Sequence, residues 1–159
     1  VQYRNKGQQI IAWAKSLLQQ NIPPEAISIE ITENLLMENQ AEVVRALDNI
    51  RRQGLTVSID DFGTGYCSFS YLKNFSIDYL KIDKSFVQNM SVDNKDVALC
   101  EAIIVMANKL NIKVIAEGIE TEQQRELLIE AGCRLGQGYL LARPLSTADF
   151  EQLLINQNI

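Results

Sequence analysis

The stretch Leu55-Thr56-Val57-Ser58-Ile59-Asp60-Asp61-Phe62-Gly63-Thr64-Gly65 decides the fold. Its first five residues alternate and read as a buried strand, and the two acids directly follow. An Asp-Asp pair is also ordinary turn chemistry, because Asp favours turns. Here the pair falls at the mouth of a strand, where two adjacent carboxylates repel each other unless a divalent cation sits between them. The glycines behind it let a loop bend close to that position.

Working outward, the same unit recurs. Ile27-Ser28-Ile29-Glu30-Ile31 alternates as a strand, and residues 40–53 follow as a helix with Val43, Val44, Leu47 and Ile50 inward. Gly54 is placed to stop that helix. Ser68 to Leu72 reads as a short helical turn, and Ile77 to Ile82 as a strand. Residues 94–110 form a helix with Leu99, Cys100, Ile103, Met106, Ala107 and Leu110 on its buried side, and Ile112 to Ala116 is a strand. Thr121-Glu122-Gln123-Gln124 is a capping box for a helix closed by Gly132. Cys133 to Tyr139 holds a fifth strand, and Ser146 opens a last helix. An amphipathic helix at about 5–20, with Ile10, Trp13, Ala14, Leu17 and Leu18 on one stripe, precedes them all. Strands alternating with helices predict an α/β fold with a parallel sheet, either doubly wound or closed into a barrel. Residues 1–159 read as one domain.

Composition narrows the chemistry. The 159 residues contain no histidine, so a Ser-His-Asp triad or a His-ligated zinc is excluded within this chain. Acid–base or metal work falls to Asp, Glu, Lys, Asn or Gln, and such oxygen donors suit Mg²⁺, Mn²⁺ or Ca²⁺. The net charge of −5 argues against a polymeric nucleic-acid partner. Cys67, Cys100 and Cys133 form no CxxC pair and fit a reducing, cytoplasmic setting. No apolar run approaches the ~18–20 residues of a membrane span.

Polar residues close every strand: Glu30, Thr32 and Glu33 on the first, Asp60 and Asp61 on the second, Lys81 and Asp83 on the third. Glu117 and Glu120 end the fourth, and Gln137 lies on the fifth. Strands buried on both faces are nearly all apolar, so five polar strand ends aimed at one rim predict a site. Each has a plainer reading. Lys81 is a solvated lysine if it faces outward, Glu33 and Glu120 are helix-start charges, and Gln137 between Gly136 and Gly138 is a tight turn. Asp-Phe-Gly lacks a kinase's other motifs, and Gly63-Thr64-Gly65 is not a dinucleotide fingerprint.

Together these segments resemble the EAL family of cyclic-di-GMP phosphodiesterases. The segments are Glu30-Ile31-Thr32-Glu33, Asp60 to Ser68, Leu80-Lys81-Ile82-Asp83, Ala116-Glu117-Gly118-Ile119-Glu120, Gln137-Gly138-Tyr139 and Arg143-Pro144. The resemblance implies a (β/α)₈ TIM-like barrel, two Mg²⁺ or Mn²⁺ ions, and hydrolysis of cyclic-di-GMP to linear pGpG. It implies that Glu30, Asp60, Asp61 and Glu117 hold metal and that Lys81 positions the attacking water. Glu33 is implied as the anchor of the loop starting at Asp61, and Gln137 as a neighbour of water and metal. Thr32, Asp83 and Glu120 are implied in substrate or loop support.

Against the family pattern, this chain holds the last five strands of eight. The Glu-Ala-Leu segment and an asparagine metal ligand would lie upstream, and Glu25-Ala26-Ile27 stands in the wrong place to replace them. The expectations are therefore a piece of a larger protein, inactive alone, with open sheet edges that invite a second copy as a homodimer. The parent is expected to carry sensory or cyclase domains and to lie in the cytoplasm or be tethered to a membrane. A non-catalytic cyclic-di-GMP receptor of the same fold is the alternative, and another metal phosphodiesterase barrel a third.

Overall fold

A computed structural model describes residues 22–37, 40–65, 72–91 and 95–156. The expected helix at about 5–20, Cys67 and most of the turn at 68–72 lie outside the described residues.

The strands are β1 (Ser28–Thr32), β2 (Thr56–Phe62), β3 (Tyr79–Ile82), β4 (Lys113–Glu117) and β5 (Leu135–Gln137). All pair in parallel, in the order β1-β2-β3-β4-β5. A doubly wound sheet reverses its strand order at a switch point, whereas a barrel adds each strand beside the last. The uninterrupted order settles that choice for a barrel-type winding.

Each strand sorts its side chains by alternation. Ile29, Ile31, Val57, Ile59, Leu80, Ile82, Val114 and Ala116 are buried and form the centre of the core. Ser28, Glu30 and Thr32 on β1 are all exposed, so the alternation there is complete. The opposite face of the sheet therefore carries the polar set: Glu30, Ser58, Asp60, Lys81 and Glu117.

The helices are α1 (Glu33–Met37), α2 (Gln40–Arg52), α3 (Lys84–Gln88), α4 (Lys95–Lys109), α5 (Glu122–Glu130) and α6 (Thr147–Asn156). Helix α4 buries Cys100, Ile103, Ile104 and Ala107, the i, i+3, i+4, i+7 stripe of an amphipathic helix. Burying one such large aliphatic side chain is worth about 1.5–3 kcal/mol. Leu99 corrects the expected stripe: it is 48% exposed, because it precedes Cys100 by about 100° of helix turn and faces away from the sheet. The Thr121 capping box forms as expected. Gln124 N donates to Thr121 Oγ1 at 3.2 Å and Thr121 N to Gln124 Oε1 at 3.0 Å. Gly132 takes the left-handed φ of 94° that closes α5.

Two short helices, α1 and α3, were not expected. Both begin directly at a strand's end, and a five-residue helix is too short to show hydrophobic periodicity. Strand β2 also runs three residues beyond the expected Ile59, taking Asp60 and Asp61 into the sheet itself.

Candidate active site at the strand ends

Consecutive residues in a regular strand point to opposite faces, so Asp60 and Asp61 cannot both face one site without a break in the ladder. The break is present. Ile59 pairs with Leu80, and Phe62 pairs with Ile82, so β2 spends one residue more than β3 over that interval. Asp61 takes a left-handed φ of 54° within this bulge. That conformation costs an L-residue about 1–2 kcal/mol, and Asp is among the few side chains that adopt it singly. The bulge brings Asp61 to the rim beside Asp60 and returns Phe62 to the core, where it is 2% exposed.

Lys81 is the hub. Its side chain is 8% exposed, and its Nζ lies 2.7 Å from Glu117 Oε1, 2.9 Å from Asp60 Oδ1 and 3.0 Å from Glu30 Oε1. Burial alone would lower the ammonium's pKa, but the close carboxylates of Glu117, Asp60 and Glu30 outweigh it and hold the group above its ordinary value. Three carboxylates converge on one cation, and a fourth stands beside them. Carboxylate oxygens of Asp60, Asp61 and Glu117 lie within 4.8 Å of one another. Glu30 joins the group through Lys81, with half of its side chain exposed.

Asp61 is held above the ordinary carboxylate range by its partial desolvation and by the charges of Asp60 and Asp83. Asp83 goes the other way. Desolvation pushes it up, but its hydrogen bonds to Ser85 prevail and lower it. Asp83 is the N-cap of α3, with Oδ1 accepting from Ser85 N at 2.9 Å.

The charge count is unbalanced: Lys81 is the one side-chain cation in ion-pair contact with this group among the described residues. Its contact with Asp60 Oδ1 is short but poorly aligned, so that buried oxygen has no hydrogen-bond partner. Buried acceptors are normally met, and an all-oxygen donor set with one left over suits a hard divalent cation. The residues present fit such an ion.

Glu33, the first residue of α1, is buried at 3% exposure. Its Oε2 accepts from Gly63 N at 2.8 Å and Gly65 N at 3.2 Å, so its carboxylate ties down the turn after Asp61. A Cβ on Gly65 would stand 2.6 Å from Glu33 Oε1, so a side chain there would have to displace the carboxylate that holds the turn. Gln137 is in register with Glu117, and its Nε2 donates to Glu117 Oε1 at 2.7 Å. The next residue, Gly138, passes so close to the Ile119 backbone that any Cβ would overlap it.

The remaining candidates are more peripheral. Thr32 ends β1 exposed, in register with Asp60. Glu120 is exposed and accepts from Gln88 Nε2 at 2.9 Å. It borders a cavity of about 510 Å³ that opens beside Glu117 and Gln137 and reaches Tyr139 and Phe150. Arg143 lies over the Tyr139 ring, 4.5 Å from its centroid.

The parallel barrel-type sheet thus brings carboxylates from β1, β2 and β4 and a lysine from β3 to one rim, the carboxyl-terminal rim where such barrels carry their functional groups. The chain belongs to the EAL domain family, which it matches over residues 3–144. It is 45% identical over 128 residues to the cyclic di-GMP phosphodiesterase NbdA of Pseudomonas aeruginosa, covering 80% of this chain and 16% of that one. The PaMucR phosphodiesterase in complex with c-di-GMP superposes with a TM-score of 0.81 at 40% identity. That match covers 88% of this chain and 56% of the solved one. Klebsiella pneumoniae BlrP1, solved with manganese and the cyclic dinucleotide, gives 0.78 at 32% identity over 84% of this chain and 34% of its own. The described sheet thus corresponds to part of an EAL barrel.

Proposed function

We propose that this chain contributes one rim of a metal-dependent phosphodiesterase that opens cyclic-di-GMP to linear pGpG. The observation that carries the reading is the excess of carboxylates around Lys81, with Asp60, Asp61 and Glu117 oxygens within 4.8 Å of one another. The names of NbdA and the ligands of PaMucR and BlrP1 point to the substrate and to a divalent ion.

Asp60, Asp61, Glu117 and Glu30 would hold two Mg²⁺ or Mn²⁺ ions, which lower the pKa of a water and neutralise phosphate charge. The other roles belong to the chain's own residues. Lys81, fixed by its carboxylate contacts, presents a positive charge where the phosphoryl oxygens gain negative charge. Gln137 orients Glu117 by donating to it. Glu33 fixes the turn that carries Asp61. In the reaction a water oxygen bonds to phosphorus and one P–O ester bond breaks. The departing ribose oxygen takes a proton, leaving a terminal phosphate. The cavity beside Glu117, with Tyr139 and Arg143 on its wall, has the aromatic and cationic groups to receive part of a dinucleotide.

The activity is assigned to the whole protein, since the chain spans about a sixth of its curated relative and about half of the PaMucR chain. The 159 residues alone are expected to show no turnover. The finer reading of partners is a second copy of the chain, supported by Leu99 and Val105 on α4 and Ile129 on α5, all about half exposed. Sedimentation of the protein at micromolar concentration tests that. No helix among the described residues is long and apolar enough to cross a membrane. The free, buried Cys100 and Cys133 suit a reducing compartment, and on that ground we place the domain in the cytoplasm.

The decisive assay incubates the whole protein with cyclic-di-GMP and Mn²⁺. Hydrolysis to pGpG that chelation stops, and that Asp60→Asn lowers at least about 100-fold, is the expected result. Binding without hydrolysis would replace the enzyme with a receptor.

A further inference from the structure

We infer that the short helix α3 is a wedge that sets the spacing between the two acid-bearing loops, and that Phe86 is a positioning residue for Asp61. The inference deepens the proposed function and rests on it.

Helix α3 touches both loops at glycines. On one side, a Cβ at Gly63 would stand 2.7 Å from Phe86 Cε2 and 3.0 Å from Cζ, so the ring lies directly against the Gly63 backbone. Gly63 has a φ of 98° and sits two residues after Asp61. Its amide is held from another direction by Glu33 Oε2 at 2.8 Å. On the other side, a Cβ at Gly118 would stand 2.6 Å from Lys84 Cβ. Gly118 has a φ of 71° and directly follows Glu117. The far end of α3 is tied to the same loop through Gln88 Nε2 to Glu120 Oε1 at 2.9 Å, and to the first turn of α5 through Gln124 Nε2 to Gln88 O at 3.3 Å.

The wedge has a firm seat. Asp83 caps α3, Val87 is fully buried, and Asp83 N donates to Phe62 O at 3.4 Å. Five residues thus bear on the turn after Asp61 and on the turn after Glu117 together. Glycine at both touching points lets the backbones approach more closely than any side chain would allow. Glu33 pulls the Asp61 turn through hydrogen bonds, and Phe86 stops its travel by contact. Both of those hydrogen bonds end on one oxygen, Glu33 Oε2, so they leave the turn free to pivot about it. The ring removes that freedom.

The test uses Phe86→Ala and Phe86→Leu in the whole protein, with two readouts: hydrogen exchange at the Gly63 and Gly65 amides, and Mn²⁺ affinity by calorimetry. Phe86→Ala should speed exchange at both glycines and weaken Mn²⁺ binding about ten-fold, while unfolding stays cooperative. Phe86→Leu, which refills much of the contact, should fall between it and the native protein on both measures. If Phe86→Ala fails to fold, the leucine variant decides by the same two readouts. Unchanged exchange in a folded variant overturns the wedge, and faster exchange with native Mn²⁺ affinity overturns the positioning of Asp61. A native protein that takes up no Mn²⁺ would instead sink the metal reading, and exchange would still judge the contact.

Discussion

The two ends of this sheet both carry acids, and they treat them in opposite ways. At the amino end, Asp78 divides its oxygens between two donors: Arg51 Nη2 at 2.7 Å and Val57 N at 2.9 Å. Nearby, Asp48 accepts from Ser76 Oγ at 2.8 Å. Each acid there has its own partner. At the carboxyl end, Glu30, Asp60 and Glu117 share one lysine, Asp61 adds a further charge, and Asp60 Oδ1 lacks a hydrogen bond. Paired charges hold a fold together, while surplus charges of one sign wait for something outside the chain. The contrast separates structure from site without reference to any relative.

The largest effect should come from removing the shared cation. Lys81→Met leaves three carboxylates facing one another, and loss of one partner from a buried pair costs about 3–5 kcal/mol. Partial exposure of the acids reduces this to about 2–4 kcal/mol, read by urea denaturation in EDTA. Millimolar Mn²⁺ should then raise the melting temperature of Lys81→Met more than that of the native protein. A loss below about 1 kcal/mol, or no response to Mn²⁺, would erase the difference between the two ends.

At the amino end the expected losses are smaller and indifferent to metal. Asp78→Ala strips the acceptor from Val57 N and should cost about 1–3 kcal/mol. Arg51→Ala removes only a partly exposed ion pair and should cost under about 1 kcal/mol. Neither should change the response to Mn²⁺. An Asp78→Ala variant whose stability recovers with Mn²⁺ would mean that the amino end also attracts cations, and the comparison would fail.

Much of this contrast was legible beforehand. The alternation of β1 and β2 was visible, and so was the ending of every strand in polar residues, because period-two patterns are local. Position at those ends offered a wider set of candidates, and the family resemblance singled out Glu30, Asp60, Asp61, Lys81 and Glu117 among them. Three things were hidden, each for a physical reason. The bulge that turns Asp61 to the rim depends on β3 pairing and on one positive φ, neither of which leaves a periodic trace. Helices α1 and α3 are shorter than the window over which a helical stripe shows. The exposure of Leu99 depends on which face of α4 meets the sheet, and adjacent apolar residues at 99 and 100 left that open. Asp83 shows the same limit at a single residue, since an N-cap is recognisable only once its helix is.

A small, pH-dependent effect lies between the two ends, in the apolar layer where ionisation of any kind is unwelcome. Cys100 is fully buried, and desolvation, with smaller contributions from Asp96, Cys133 and Glu101, pushes its thiol up to about 12. An unfolded chain releases that proton near the ordinary value of 9.0, while the folded chain keeps it. Stability from this group is therefore intact below pH 9 and is lost progressively as pH rises from 9 towards 12. At pH 9.5 the loss should be about 1 kcal/mol. Cys100→Ala should flatten this slope, measured as urea stability between pH 8 and 10 and compared with the native protein. Cys133, also raised by desolvation, contributes in the same direction and keeps the slope from vanishing altogether. A native slope unchanged by Cys100→Ala would place the alkaline sensitivity at Cys133 instead, since Lys81, held above its ordinary value, keeps its proton in the folded chain throughout this range.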